Sequence, residues 1–371
     1  MTLVVNPLHL IRPVRPVLVC RFRELVLSRS MTQPVISIVL LAQLFIAGCS
    51  FEERAEVHSL EGLTMGTSYN VKYVANPQLT KEQISLAAKT ALDDVDQRMS
   101  TYRNDSELMR FNALPSGSEL KVSPDLIELV QISQYLSGIS DGAYDVTVGP
   151  LVNLWGFGPD KRPEKTPTAE QIAKVRGQVG YQYLIVDPEL NVLRKERPLF
   201  VDLSAIAKGY GVDRVAAEIE LLGVQSYLVE VGGEVRMKGL KPDGSSWKIG
   251  VEKPSLGERQ ASLIISADNK GIATSGDYRN YFEVDGTRYS HTIDPRTGYP
   301  INHTLVSVTV IDDSTAMADG LATLFMALGT NEGIAVAQKE KIAALFVEKE
   351  GGEFRYTSTT DFDQYVLNKP E

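Results

Sequence analysis

Apolar positions change their spacing several times along the chain, and each spacing predicts an element. From Val35 to Gly48 fourteen residues run without a charge. Gly66 to Val74 alternates and predicts a strand. Over 80–98 the apolar positions Ile84, Ala87, Ala88, Ala91, Leu92 and Val95 recur at helical spacing, and Thr80 stands where an N-cap belongs. Residues 124–138, 168–179 and 207–222 predict three more helices. Strand patterns dominate from 226 to 310, in the segments 227–239, 247–254, 261–269, 280–293 and 304–311. Residues 315–328 predict an apolar helix, and 343–358 a hairpin turning at Gly351-Gly352. Helices mixed with meandering strands predict the α+β class, with mixed or antiparallel sheets and packed helices. The Pro- and Lys-rich stretch 159–168 predicts a surface loop and a boundary between two lobes.

Composition narrows the class. With 371 residues, 43% of them hydrophobic and 23% charged, the chain is ordinary for a soluble protein. Disordered, collagenous and polytopic membrane proteins are excluded. A formal charge of −9 speaks against nucleic acid, whose phosphates need clustered Lys and Arg. Four His and two Cys exclude a Cys/His-rich metal site. The run before Cys49 is too short to span a bilayer, which takes about 20 residues, but it matches the apolar core of a secretory signal. Its end, Ile46-Ala47-Gly48-Cys49, resembles the bacterial lipobox. That resemblance implies cleavage before Cys49, lipid on its thiol, and anchorage at the periplasmic face of a bacterial membrane. Ser50 in place of Asp favours the outer membrane over the inner. Residues 1–30 carry five arginines, which either form a long n-region or precede the true start; a start at Met31 gives a signal of ordinary length without the usual basic n-region and is the expected one. The chain therefore divides into a signal region (1–48), a lipidated polar tether (49–60), a catalytic body (61–350), and a C-terminal hairpin strand with tail (351–371). Cys20 leaves with the signal, so no disulfide is expected.

Four segments look chemical. Asp319 and Thr323 are spaced i, i+4 and share one face of an otherwise apolar helix. A buried carboxylate must be paired or hold a cation, and this pair of hard oxygens suits Mg²⁺. The segment Asp202–Gly211 puts an Asp at a strand end, then a small-residue turn, then a helix start with Lys208. That arrangement serves either a phosphate or an ordinary capped helix. Asp141–Gly158 interleaves glycines with aromatics and fits either a flat ring or a bent core loop. His291 precedes the turn Asp294-Pro295-Arg296-Thr297-Gly298, where a histidine can act as base or be structural. No nucleophile elbow, HExxH or CxxC is present.

Eight motifs in one order carry a resemblance to a known family. They are Met65-Gly66-Thr67, Ser100-Thr101-Tyr102, Asp141–Gly158, Asp202–Gly211, Gly232-Gly233, Ala273–Tyr278, His291–Pro300 and Ala316–Thr323. Over roughly residues 58–350 the chain resembles the ApbE family, the FAD:protein FMN transferases. The resemblance implies a two-lobed single catalytic domain. It also implies Mg²⁺-dependent cleavage of FAD, transfer of FMN to a Thr or Ser hydroxyl of a target protein, and release of AMP. Asp319, Thr323 and the carbonyl of Ala205 match the metal ligands. Met65, Tyr102, Ala143, Tyr144, Asp145, Asp202, Lys208 and Ile293 match FAD contacts. His291 and Asp319 match the catalytic positions, with His291 or a nearby carboxylate as the base. The implied acceptors are redox-complex subunits with a Thr/Ser flavinylation motif, such as those of sodium-pumping quinone reductase or the Rnf complex. Two rival readings remain: an FAD pyrophosphatase yielding FMN and AMP, and a non-catalytic FAD-binding lipoprotein. Two departures from the family pattern stand out. Tyr144 takes a position where Phe is common, and Gly320 takes one where Ala is usual.

Overall fold

The computed structural model describes residues 56–158, 166–254, 260–277, 281–284 and 287–368. The signal region, Cys49, most of the 159–168 loop and Tyr278 lie outside the described residues.

The chain enters through the hairpin β1 (Val57–Thr64) and β2 (Thr67–Val74). Met65 and Gly66 turn it, with φ of 44° and 71°. Two left-handed residues in a row are what a two-residue hairpin turn requires. Helix α1 (Lys81–Met99) starts at a capping box of Thr80 and Gln83 and buries Ile84, Ala88, Leu92 and Val95, the face the sequence predicted. There follow α2 (Glu107–Asn112), β3 (Glu119–Lys121), α3 (Pro124–Ile139), α4 (Gly149–Leu154), α5 (Ala169–Arg176), β4 (Leu184–Asp187), β5 (Val192–Lys195) and α6 (Ala207–Leu221). The strand-rich half comprises β6 (Tyr227–Val231), β7 (Glu234–Lys238), β8 (Ile249–Glu252), β9 (Ala261–Ile265), β10 (Lys270–Gly276), β11 (Tyr281–Val284), β12 (Thr287–Ser290), β13 (Ile293–Asp294), β14 (Tyr299–Pro300) and β15 (Leu305–Asp312). The chain closes with α7 (Thr315–Glu340), β16 (Ala343–Glu350), β17 (Glu353–Ser358), α8 (Thr360–Asp363) and β18 (Val366–Asn368).

Eight strands form one sheet in the order β1-β2-β6-β7-β10-β15-β16-β17. All strand pairs among the described residues are antiparallel, which narrows the predicted mixed or antiparallel sheets to the second kind. The sheet is covered on both faces, and β15 records this: every residue from Leu305 to Ile311 is buried. Val308 and Val310 join the core under α7, while Val306 and Ile311 join a second core with Trp247 and Phe362 beneath β8, β9 and β18. Helices α1 and α6 cover β2 and β6 through Val71, Tyr73, Val229, Val215 and Ile219. A smaller cluster of Leu151, Trp155, Ile172, Phe282 and Ile293 ties α4 and α5 to the β11–β14 ribbons.

Several boundaries differ from the sequence reading. Residues 57–60, read as tether, belong to β1, whose eight residues pair with β2. The described residues of the body form one compact unit, and the C-terminal segment as far as Asn368 belongs to it. Within it β17 completes the main sheet and β18 pairs with β9. The helix predicted over 168–179 runs only over Ala169–Arg176, with Thr168 as its cap. The apolar helix predicted to end at 328 breaks at Gly329, with φ 76°, and then resumes to Glu340. His303 Nε2 meets the Met326 carbonyl at 2.9 Å, taking the place of a helical partner lost at the break. By length and composition α7 is apolar enough to cross a membrane, but it is the central buried helix of the body.

Candidate active site

Two helices cross at the site, and two devices bring them together. The first is a glycine. A Cβ on Gly209 would lie 2.3 Å from the Thr315 carbonyl oxygen and 2.8 Å from Asp319 Cβ, so only glycine lets α6 lie this close to α7. The second is a cap. Asp213 of α6 accepts hydrogen bonds from Ser314 Oγ (2.9 Å), Thr315 Oγ1 (2.7 Å) and the Ala316 N–H (3.0 Å). The Ala316 N–H is a free backbone donor of the first turn of α7, and a carboxylate here also suits the helix dipole. Asp213 thereby fixes the axial position of α7.

One turn further along, Asp319 is 2% exposed. Its Oδ2 accepts from the Gly209 N–H at 3.0 Å. The Lys208 ammonium lies 3.4 Å from Oδ1 and 3.3 Å from Oδ2. Lys208 also reaches Glu234 Oε1 at 3.4 Å. Glu234 opens β7, is 4% exposed, and leaves its buried Oε2 without a hydrogen-bond partner. One cation thus faces two buried carboxylates. Burial works against the lysine's charge, but attraction to Asp319 and then Glu234 outweighs it and holds the ammonium above its ordinary range. Burial raises Asp319 against the pull of Lys208 and the Gly209 amide. Burial pushes Glu234 up to about 8 despite Lys208, and the neighbouring charge of Asp319 adds to the rise. Glu234 was not singled out in the sequence. Its only signal is its place after Gly232-Gly233, since burial cannot be read from spacing.

Thr323 follows Asp319 on the same face, and its Oγ1 is 3.3 Å from Ser275 Oγ of β10. Above this floor opens a cleft of about 440 Å³. It is lined by Tyr102, the 143–146 segment, Asp202, Ala205, Lys208, Glu234, Thr274–Gly276, His291, Ile293, Asp319 and Thr323, among others. The structure therefore gathers all the predicted catalytic, FAD-contact and metal residues except Met65. Met65 sits in the β1–β2 turn, with its methyl 3.0 Å from where a Cβ on Gly211 would be, and does not line the cleft.

The walls are built from the segments the sequence marked. Asp202 Oδ1 accepts from the Ser204 N–H at 2.9 Å, shaping the turn that presents Ala205 and Lys208. Asp145 is buried and accepts from Thr147 N–H (2.8 Å), Thr147 Oγ1 (2.7 Å) and Tyr181 N–H (2.8 Å). Burial still raises its pKa, although these bonds oppose the rise. Tyr144 is 3% exposed and packs in the main core, so it supports the wall and offers no open aromatic face. The open aromatic is Tyr102, 73% exposed at the rim. Phe157, which also lines the cleft, begins a chain of rings. Phe157 stands edge-on to His291 with centroids 6.3 Å apart, and lies 5.0 Å from Phe282, which stacks on Tyr289 at 5.2 Å. The turn after His291 is held by Asp294, which accepts from the Arg296 N–H at 2.9 Å, and by Trp155 Nε1 donating to the Gly298 carbonyl at 2.9 Å.

The donor set can be tested for a cation. Among the described residues no cluster of three or more His, Cys, Asp or Glu could hold a metal. One carboxylate, one hydroxyl and one backbone carbonyl remain, an all-oxygen set that suits a hard cation keeping several waters and taking phosphate oxygens. Lys208 on Asp319 already shows that the carboxylate attracts positive charge. The residues fit.

Known proteins resemble this chain in sequence and in fold. The model of the ApbE family matches residues 65–346. An FAD:protein FMN transferase of Vibrio cholerae is 47% identical over 331 residues, covering 89% of this chain and 98% of the relative. One from Escherichia coli K12 is 39% identical over 340 residues, covering 89% and 97%. The crystal structure of the Pseudomonas stutzeri flavinyl transferase ApbE, apo form, superposes with a TM-score of 0.78 at 48% identity, covering 84% of this chain and 97% of that one. An ApbE protein of Thermotoga maritima reaches a TM-score of 0.76 at 28% identity, covering 84% and 100%. With a family model matched over most of its length and close relatives covered nearly end to end, the chain belongs to the ApbE family.

Proposed function

We propose that this chain transfers FMN from FAD to a Ser or Thr hydroxyl of a protein acceptor, with Mg²⁺ and with release of AMP. The observation that carries the reading is the Asp319–Thr323 pair, held against Lys208 at the floor of a cleft of ligand size in a chain of this family. Asp319, Thr323 and the Ala205 carbonyl are the groups that would hold the cation. When bound, the cation neutralises charge on the pyrophosphate and on the leaving phosphate.

The chain's own residues do the rest. Tyr102 gives the ring system an aromatic face at the rim. Asp202, Ile293 and the Ala143–Asp145 wall orient FAD, and Lys208 faces its pyrophosphate as a fixed positive charge. His291 takes the proton from the acceptor hydroxyl. The acceptor oxygen bonds to the FMN-side phosphorus as that phosphorus loses its bond to the bridging oxygen, which leaves with AMP. Met65 acts at a distance, by packing under α6.

The test uses the mature chain, FAD, Mg²⁺ and a candidate redox-complex subunit carrying a Thr/Ser motif. An acceptor mass gain of one FMN, abolished by EDTA and by Asp319→Ala, is expected. Loss of FAD to FMN and AMP without a mass gain would identify a pyrophosphatase instead. Unchanged FAD under all conditions would identify a binding protein. The lipid anchor at Cys49 and the periplasmic location belong to the same proposal. They are checked by labelling with a palmitate analogue, which Cys49→Ser should abolish.

A further inference from the structure

The cleft wall contains an unfinished stretch of sheet. Asp277 donates its N–H to the Val306 carbonyl at 3.2 Å, and β10 pairs with β15 in register from Gly271↔Asp312 to Gly276↔Ser307. By the alternation of an antiparallel ladder, residues 273 and 275 then direct their N–H and C=O groups to β15, while 272, 274 and 276 direct theirs the opposite way. On that opposite side β7 pairs with β10 only at Lys270, Gly271 and Ile272. There β7 ends, because Glu234 is preceded by the Gly232-Gly233 turn back into β6. Among the described residues, the backbone groups of Thr274 and Gly276 on this side have no strand partner. Thr274 is exposed, Gly276 is half-buried, and both line the cleft beside Gly232 and Glu234.

We propose that the acceptor protein binds by adding an extended segment to this open length of β10, antiparallel to it, with the acceptor Ser or Thr opposite Ser275. The proposal rests on the transferase reading, which requires a protein acceptor. The geometry supplies the position. Residues directly opposite on neighbouring strands point to the same face, with Cβ atoms about 4.5–5.5 Å apart. Ser275 points to the α7 side, where its Oγ is 3.3 Å from Thr323 Oγ1. A hydroxyl opposite Ser275 is therefore delivered to the Asp319–Thr323 pair. The residues before and after it pair with Thr274 and Gly276 and exchange backbone hydrogen bonds with them. Their side chains point to the far face, beside exposed Thr274, whose Oγ1 is engaged with Thr309 at 2.9 Å. Recognition through main-chain bonds holds an acceptor in register while leaving its flanking side chains loosely specified. The occupant is an acceptor segment because the open edge runs directly into the transfer cleft.

The experiment uses the wild-type mature chain, FAD and a synthetic peptide spanning the flavinylated residue of an acceptor. Each backbone amide of the peptide is N-methylated in turn, and kcat/KM for the peptide is read by mass. Calling the acceptor residue i, methylation at i−1 and i+1 should lower kcat/KM at least tenfold. Methylation at i, i−2 and i+2 should change it less than twofold. The effect should fall on KM for the peptide, with KM for FAD unmoved. Equal sensitivity at every position, or none, overturns the proposal and leaves the edge to the nucleotide or to a second copy of the chain. If the unmodified peptide and its parent protein both take up no FMN, the transferase reading itself fails. A flat profile with intact transfer sinks only the strand-addition proposal.

Discussion

Gly209→Ala tests how the two site helices create the active centre. The added methyl would meet the Thr315 carbonyl oxygen at 2.3 Å, the Thr315 carbonyl carbon at 2.7 Å and Asp319 Cβ at 2.8 Å. Two of these atoms are backbone, in the first turn of α7, and that turn is pinned by Asp213, so no side chain can swing clear. Ordinary carbon contacts begin at about 3.5 Å, so the helices must separate by roughly 1 Å. The Gly209 N–H to Asp319 Oδ2 bond, now 3.0 Å, would then stretch beyond hydrogen-bond range. Overpacking costs about 1–3 kcal/mol, and the gain in helix propensity offsets about 1 kcal/mol of it. The variant should fold, with a loss of at most about 2 kcal/mol. Catalysis is more demanding, since a 1 Å misplacement costs on the order of 10²-fold. The assay pairs a urea melt with FMN transfer at saturating FAD. A folded variant with kcat within twofold of wild type would refute the claim that close α6–α7 contact places Asp319.

Other perturbations probe the same frame. Asp213→Ala removes the acceptor for three donors at the start of α7 and takes from Arg236 the carboxylate 3.2 Å away, leaving it the Asp313 carbonyl and Asn269. A loss of about 2 kcal/mol or more is expected, seen as a fall in Tm of about 4 °C or more, and an unchanged melt would contradict it. Gly320→Ala adds a Cβ 2.4 Å from Leu136 Cδ1, the far end of a flexible side chain. The gain of about 1 kcal/mol in helix propensity should nearly cancel the repacking, and a loss above about 3 kcal/mol would show that Leu136 cannot move. Burial raises the Asp145 pKa in the folded state, so the fold holds this proton more tightly than the unfolded chain does. Stability should therefore fall as pH rises from the ordinary carboxylate value of about 3.9 through the folded-state pKa, then level off. Asp145→Asn should be less stable at every pH, because its amide meets the Tyr181 N–H donor, yet flatter over that interval. A variant with the same pH slope as wild type would assign the slope to other groups.

Much of the frame was legible because local signals agreed with the tertiary outcome. Thr80 capped the helix it was expected to cap, and the 207–222 pattern became α6 within a residue. The β16–β17 hairpin turned at Gly351-Gly352. The Asp319/Thr323 pair was legible because helical spacing alone puts i and i+4 on one face. What was missed had weak local signals. Strand β1 buries only Leu60 fully, as befits an edge strand, so its first half reads as polar tether. Strand β10 reads Lys-Gly-Ile-Ala-Thr-Ser-Gly, a run with little strand propensity, and is extended because β15 and β7 pair with it. The second half of α7 lay beyond a glycine that breaks the helix without ending it.

The sequence by itself determined the class of the fold, the order of most elements, the oxygen pair on α7 and the family, because these rest on periodicity, capping and motif order along one chain. The tertiary structure alone decided that Glu234 is buried against Lys208, that Tyr144 supports the wall while Tyr102 stays open, that Met65 lies outside the cleft, and that β10 runs past the end of β7. Burial, charge pairing and strand register are relations between residues far apart in the chain. They are set by how the sheet closes over its helices, and no local spacing encodes them.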